Sequence, residues 1–370
     1  MSRVIKSGHF SMGSETKCFE GSFAASQGRH HGCMVNSGSS ANLVMLAAAR
    51  YCPNAYITPG SEVIVPAVSW STTYYPVNQA GARLCFVDVD PEDFNMSVDA
   101  VAEAIGPRTR AVLAVNLLGN PAHLVELREL CDAADIVLLE DNCESLGASL
   151  AGKPAGSFGL AASYSFFFSH HMTTMEGGMI VTDDEAFLQT CQSLRAHGWT
   201  RGLPEDNHLL PLSGDPWEDL FRFVLPGYNV RPLEIEAAVG QEQLKKLPVL
   251  IEERRRNGAY FQSQFSGLEG VRIQGEHGKS SWFGFGLVLT DHLAGRRREV
   301  VEALERAGIE TRPIVAGNFT RNPVMKHLDA SVPERLPVAD EIHDQGLFFG
   351  NHHFDVSEGI ARAAEVISSL

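Results

Sequence analysis

Short apolar runs recur along the first half of this chain, at Glu62–Val68, Arg83–Val87, Ala111–Val115 and Ile136–Leu139. Helical stretches such as Val98–Ile105 and Ala122–Ala134 separate the later ones. Strands that alternate with helices predict βαβ units, and hence an α/β fold with a mostly parallel sheet covered on both faces. In such a sheet ligands bind outside the carboxyl ends of the strands. Two further apolar runs, Tyr164–Phe168 and Met179–Thr182, are expected to be buried strands joined by a polar loop with a Glu-Gly-Gly turn. His170 and His171 stand where the first of them ends, a position suited to chemistry.

The remaining pattern divides the chain. Residues 1 to about 25 are expected to form an extended arm that enters a helix near Phe19–Gln27, and another helix is expected over Ala41–Arg50. The stretch 199–229 is rich in Pro, Gly, Asp and Trp and has little periodicity, which predicts a long functional loop or contact arm. A helix follows from Leu233 to about Lys246 and continues through Tyr260. Beyond it, Trp282–Thr290 and Ile309–Ile314 are predicted strands, and Arg296–Ala307 and Val356–Ser369 predicted helices. With 370 residues, 44% of them hydrophobic, the chain exceeds one compact domain. The expected division is a large domain over 1–248 and a smaller α+β domain over 249–370.

Charge and cysteine usage narrow the class. Thirty basic residues against 45 acidic ones give a net charge of −15, which argues against broad binding to nucleic acid or to an anionic membrane surface. The basic runs Arg254–Arg256 and Arg296–Arg298 lie on helix-like segments, where a solvated face is the ordinary role. Seven cysteines with no C-x-x-C pair suit reduced thiols, not a disulfide framework. The N-terminal residues lack the apolar core of a signal peptide, so a soluble, cytoplasmic protein is expected.

Four places carry chemical potential. Asn36-Ser-Gly-Ser-Ser-Ala-Asn42 precedes a helical run, and small hydroxyl residues at a helix start suit either a phosphate or plain serine capping. Asp141 ends an apolar strand, where a carboxylate needs a partner such as a protonated heterocyclic nitrogen, or serves as a helix cap. Trp70 follows another strand, placed to stack on a flat ring or to pack in a core. Ser165 with His170 and His171 offers a hydroxyl and a base, although histidines near apolar elements are more often simply packed. Fourteen histidines also raise metal binding, but none has i, i+4 spacing with a matching acid, so no metal site is expected.

A phosphate-binding helix start, an aromatic residue, a strand-end carboxylate and a base, in that order, describe a pyridoxal-phosphate site. The segments NSGSSAN, LLEDNCESLGA, SFFFSHHMTTMEGG and GYNVRPLEIEAAVGQEQLKKL resemble the signatures of the DegT/DnrJ/EryC1/StrS nucleotide-sugar aminotransferase family, in the expected order. The resemblance implies an aspartate-aminotransferase-like fold, that of the fold type I pyridoxal-phosphate enzymes, and a homodimer with shared active sites. It implies Asp141 at the cofactor's pyridine nitrogen, Trp70 on its ring, and Gly38, Ser39, Ser40 and Ser165 at its phosphate, joined by Asn229 of a second subunit. Glu144 stands in place of the glutamine usual near the phenolic oxygen.

One departure bears on the reaction. The family's Schiff-base lysine precedes the second glycine of the Glu-Gly-Gly turn by eight residues, and here that position is His170. No lysine occurs between Lys153 and Lys245. An imidazole cannot hold the cofactor as a Schiff base. The substitution resembles the 3-dehydratase branch, and the lack of cysteines after Cys191 resembles its iron-independent members, which carry no iron–sulfur cluster. This branch implies C3 dehydration of a nucleotide-linked 4-keto-6-deoxy sugar, GDP-4-keto-6-deoxy-D-mannose above all. The expected cofactor is pyridoxal 5'-phosphate, converted to pyridoxamine 5'-phosphate by L-glutamate, with His170 as the base and ammonia released. Ser169, His197, Glu310 and Arg312 are the substrate-binding candidates; for Arg312 a surface ion pair with Glu310 is as natural a reading. An aminotransferase and a non-catalytic cofactor-binding protein are the alternatives.

Overall fold

The computed structural model describes residues 1–54 and 56–370. The large sheet draws on β1 (His31–Val35), β2 (Glu62–Pro66), β3 (Arg83–Val87), β4 (Thr109–Val115) and β5 (Val137–Asp141). A small hairpin, β6 (Ser149–Leu150) and β7 (Lys153–Pro154), precedes β8 (Ala161–Ser165) and β9 (Gly178–Thr182). The C-terminal region adds β10 (Val271–Ile273), β11 (Gly284–Leu289), β12 (Thr311–Arg312), β13 (Ala330–Ser331) and β14 (Gly346–Gly350). The eight strands of the large sheet run β1-β9-β8-β5-β4-β2-β3-β13. Within it β9 is antiparallel to both neighbours and the other pairs are parallel. The second sheet, β10-β11-β14-β12, is antiparallel throughout.

Alternation along the strands explains the two-sided burial. Val63, Val65, Ala111, Leu113 and Leu139 face a core shared with α3 (Gly38–Tyr51). Ile64, Val112, Ala114 and Leu138 point the other way, onto Val101, Leu124 and Leu127 of the helices Val98–Ala104 and Leu124–Ala134. A period of two puts successive side chains on opposite faces, so a strand that is apolar at every position must be covered twice.

The helix Glu234–Phe265 runs unbroken through residue 248, carrying Pro248 within it. Its far end supplies Phe261 and Phe265 to a second core with Phe285 and Phe349. Strand β13 rejoins the large sheet beside β3, so the chain after 248 contributes to both sheets. Among the described residues no helix is long and apolar enough to cross a membrane.

Three expectations change. The N-terminal arm is not extended: helices Ser2–Ser7 and Ser14–Ser26 occupy it. The second is capped from far along the chain, where the buried Glu234 carboxylate accepts from the N–H groups of Gly13 (2.7 Å), Glu15 (2.6 Å) and Thr16 (3.1 Å). The run Tyr164–Phe168 leaves the sheet at Ser165, and Phe168 is 69% exposed. Strand β12 spans two residues of the predicted Ile309–Ile314, because only Thr311 and Arg312 find partners on β14. Residues 199–229 are irregular apart from a short helix, Pro216–Asp219.

Candidate active site

A cavity of about 390 Å³ opens at the carboxyl ends of β5 and β8, where the N-terminus of α3 meets them. Gly38, Ser39, Trp70, Asp141, Glu144, Ser165, Ser169 and His170 all line it, drawn from segments more than 130 residues apart in sequence. Close approach of α3 to β8 requires glycine at 38: a Cβ there would stand 2.6 Å from Ser165 Cβ and 3.0 Å from Cys143 Sγ. Ser37 caps the helix, accepting from the Ser40 N–H at 3.1 Å.

Asp141 is 5% exposed and is held on one side. Its Oδ2 accepts from Asn42 Nδ2 (2.7 Å) and Thr73 Oγ1 (2.8 Å), whereas Oδ1 has a longer contact, 3.2 Å, to the Cys143 N–H. Asn42 is itself oriented by Ser163 Oγ, which donates to its Oδ1 at 2.6 Å. Glu144 accepts from the Leu118 N–H at 2.9 Å. Burial, reinforced by the Asp141 charge, pushes its carboxyl up to about 7 although the Leu118 bond opposes this.

His170 faces the same cavity. Its Nδ1 lies 2.7 Å from the Cys143 carbonyl, which can only accept, so Nδ1 carries the proton. Desolvation lowers the ring's pKa to about 4 against the opposing Cys143 bond, and the Arg254 charge lowers it further. The imidazole is therefore neutral at pH 7, with its lone pair on Nε2. A free imidazole, with its value of about 6.5, would carry some charge there. Arg254 is 2% exposed, its guanidinium held by the carbonyls of Phe283 and Asn351 at 3.2 Å each. His171 is buried instead of lining the cavity, with Nε2 on the Ser281 carbonyl at 3.1 Å.

Other candidates lie elsewhere. Ser40 is absent from the lining and spends its hydroxyl on Asn36 Oδ1 at 2.6 Å. Asn229 is exposed at the surface of the chain, accepting from Arg231 Nε at 3.1 Å. His197 holds a positive φ of 62°, packs on Trp199 and does not reach the cavity. Glu310 and Arg312 line a larger adjoining space of about 830 Å³, which shares Trp70, Glu144, Ser169 and Phe283 with the first. They form the ion pair that was the equally natural alternative, with side chains 76% and 61% exposed.

Sequence reasoning missed Asn42, Thr73, Phe283 and Arg254. Asn42 closes the NSGSSAN segment and Thr73 sits one turn past Trp70, so helical spacing from recognised residues was a usable signal for both. Phe283 and Arg254 reach the site only through folding of the C-terminal region.

A mostly parallel sheet, a helix start and a strand-end carboxylate around one cavity, with an antiparallel second sheet beside it, are the architecture of the aspartate-aminotransferase-like, fold type I enzymes. Sequence similarity specifies further: residues 1–367 match the DegT/DnrJ/EryC1/StrS aminotransferase family, and the chain belongs to it. It is 49% identical over 367 residues to the GDP-4-keto-6-deoxy-D-mannose 3-dehydratase of Yersinia pseudotuberculosis, covering 99% of this chain and 93% of the relative. A solved GDP-4-keto-6-deoxymannose-3-dehydratase with a trapped PLP–glutamate geminal diamine superposes with a TM-score of 0.96 at 46% identity, covering 99% of this chain and 95% of that one. The E. coli enzyme with bound hydrated PLP gives 0.96 at 47% identity, covering 99% and 94%.

Proposed function

We propose that this protein removes the C3 hydroxyl of GDP-4-keto-6-deoxy-D-mannose, with pyridoxal or pyridoxamine 5'-phosphate as cofactor and L-glutamate as amino donor, giving GDP-4-keto-3,6-dideoxy-D-mannose, 2-oxoglutarate and ammonia. The observation that carries the reading is His170, neutral and with Nε2 free to accept a proton, in a cavity whose lining contains no lysine among the described residues. A site without a Schiff-base lysine suits elimination better than delivery of an amine.

The donor set fits the cofactor. The first turn of α3 with Ser39 and Ser165 suits a phosphate. Asp141, fixed through Oδ2 by Asn42 and Thr73, has Oδ1 available to a protonated ring nitrogen. Trp70, 57% exposed at the mouth, offers a stacking face. Glu144, with its pKa raised to about 7, is in part protonated at neutral pH and then donates as a glutamine amide would. When bound, the cofactor supplies an amine and a conjugated electron sink.

The chain's own part is proton handling. The Cys143 carbonyl fixes the tautomer and aim of His170, so Nε2 is the basic atom. Once protonated beside Arg254 in a desolvated site, the ring gives the proton up readily, and the departing C3 hydroxyl receives it, leaving as water. Phe283, with its ring 5.2 Å from that of His170, covers the base from solvent. Ser169, Glu310 and Arg312 rim the larger space, which has room for a sugar nucleotide. The Arg312 guanidinium, now on Glu310, is free to exchange that exposed partner for a substrate carboxylate or sugar oxygen.

The proposal extends to a cytoplasmic homodimer with shared sites, and within each chain to a smaller domain that begins near residue 248 and returns β13 to the large sheet. Seven cysteines with no C-x-x-C pair suit a reducing compartment. Phe168 and Met175, 69% and 50% exposed, give the face near the cavity an apolar character suited to a second copy carrying Asn229. Purified protein given the sugar nucleotide and glutamate should yield ammonia, 2-oxoglutarate and the 3-deoxy keto sugar. A 4-amino sugar would favour an aminotransferase instead, and an inert mixture would sink the enzymatic reading.

A further inference from the structure

Away from the cavity, three residues from distant segments converge. Asp93 follows β3, His123 caps the helix Leu124–Ala134, and His277 lies in the connection between β10 and β11. One ligand atom from each falls within 4.8 Å of the other two. Asp93 is 5% exposed, and its Oδ2 lies 3.0 Å from His123 Nε2. That contact pairs the carboxylate with one imidazole, whereas His277 Nε2 is buried without a partner. The two imidazoles are neighbours, ring centroids 4.1 Å apart and planes tilted by 39°. A buried ring nitrogen left unsatisfied beside a carboxylate is costly unless something fills the space between them.

The surroundings hold these groups in place independently of one another. Asp93 Oδ1 is occupied by the Asn95 N–H at 2.9 Å, which turns Oδ2 inward. The His277 N–H donates to Asn120 Oδ1 at 2.8 Å, and Asn120 Nδ2 donates to the Gly275 carbonyl at 2.8 Å. The Gly275 N–H donates to the Glu92 carbonyl at 2.7 Å. The chain therefore presents its ligands from pinned backbone, and Glu126 and Asp90 add negative charge nearby.

We propose that Asp93, His123 and His277 bind one divalent transition-metal ion of the zinc type. Two imidazole nitrogens and a carboxylate oxygen are the donor set of such ions, and a water completes four-coordination. Ligand atoms around zinc at about 2.0–2.1 Å are roughly 3.3 Å apart, so the trio closes on the ion by small side-chain rotations. The absence of i, i+4 spacing is no obstacle, because each ligand comes from a different segment. The ion ties the β10–β11 connection to the body of the large sheet. Asn95, two residues from the ligand Asp93, accepts from the Leu117 N–H at 3.0 Å, next to the Leu118 N–H that holds Glu144. The site is independent of the dehydratase reading.

The test uses cofactor-saturated protein stripped with a chelator and then titrated with Zn²⁺, and separately with Co²⁺, against a competing indicator. One equivalent per chain is expected, with visible Co²⁺ bands of four-coordinate type. His277→Gln and His123→Gln should each weaken binding at least about 100-fold, and His277→Gln should do so without changing the metal-free melting temperature. The double variant His30→Ala/His31→Ala, which removes another histidine pair, should bind as the wild type does. No binding by the wild type, or binding by both glutamine variants as tight as that of the wild type, overturns the proposal.

Discussion

Replacing His170 with asparagine tests the base and the burial argument together. The asparagine amide can still donate to the Cys143 carbonyl, so the loop keeps its anchor while the basic nitrogen is lost. General-base catalysis contributes about 10²–10⁴-fold, so ammonia release at pH 7 should fall by that factor, about 3–5 kcal/mol in barrier. With its pKa near 4, the wild-type ring is protonated in only about one molecule in a thousand at pH 7. Turnover that depends on it should be flat from pH 6 to 8, and the limb due to this residue should fall about tenfold per unit below roughly pH 4. Stability carries the same signature. The folded pKa lies below the unfolded value of 6.5, so as pH falls from there toward 4 the unfolded chain takes up a proton that the folded chain refuses. At about 1.4 kcal/mol per unit, the cofactor-free wild type should lose about 3 kcal/mol relative to the asparagine variant across that window. Urea titrations of both proteins between pH 7.5 and 4 measure this difference. Turnover within fivefold of wild type in the variant, or a stability difference independent of pH, would refute the reasoning.

Gly38→Ala should weaken cofactor binding tenfold or more, read by absorbance titration, because its Cβ would meet Ser165 at 2.6 Å and force α3 away from β8. Thr73→Val removes one of the two Oδ2 donors of Asp141 and should cost about 1.5–3 kcal/mol in cofactor affinity or stability; an unchanged dissociation constant and melting temperature would show that Asn42 alone suffices. Arg195→Met leaves the Glu20 carboxylate buried opposite an apolar side chain, where a 2.5 Å ion pair now stands, and should destabilise the fold by about 3–5 kcal/mol in chemical denaturation. Glu144→Gln should leave cofactor affinity near wild type while flattening any pH dependence of the bound chromophore near pH 7; a persistent inflection there would move that titration to another group.

The alternating runs were enough to predict the parallel sheet, because strands buried on both faces must be apolar at every position, and β3 spans the predicted Arg83–Val87. The order of Gly38, Trp70, Asp141 and His170 along the chain was equally legible, since each follows a strand or opens a helix. The aromatic run Tyr164–Phe168 misled, because apolar content does not tell a strand from an exposed turn: Phe166 enters the core while Phe168 faces solvent.

Sequence alone determined which chemical groups the chain owns: a histidine at the position of a lysine, a strand-end carboxylate and small residues at a helix start. Only the tertiary structure decided their state. The Cys143 carbonyl chose the tautomer of His170, and burial, with the Arg254 charge, keeps the ring neutral at pH 7. Proximity of Asp141 and loss of water raised Glu144 toward neutrality. Folding from separate segments also brought Asp93, His123 and His277 together. Tautomer, protonation and convergence depend on distances and on the exclusion of water, and linear order fixes neither.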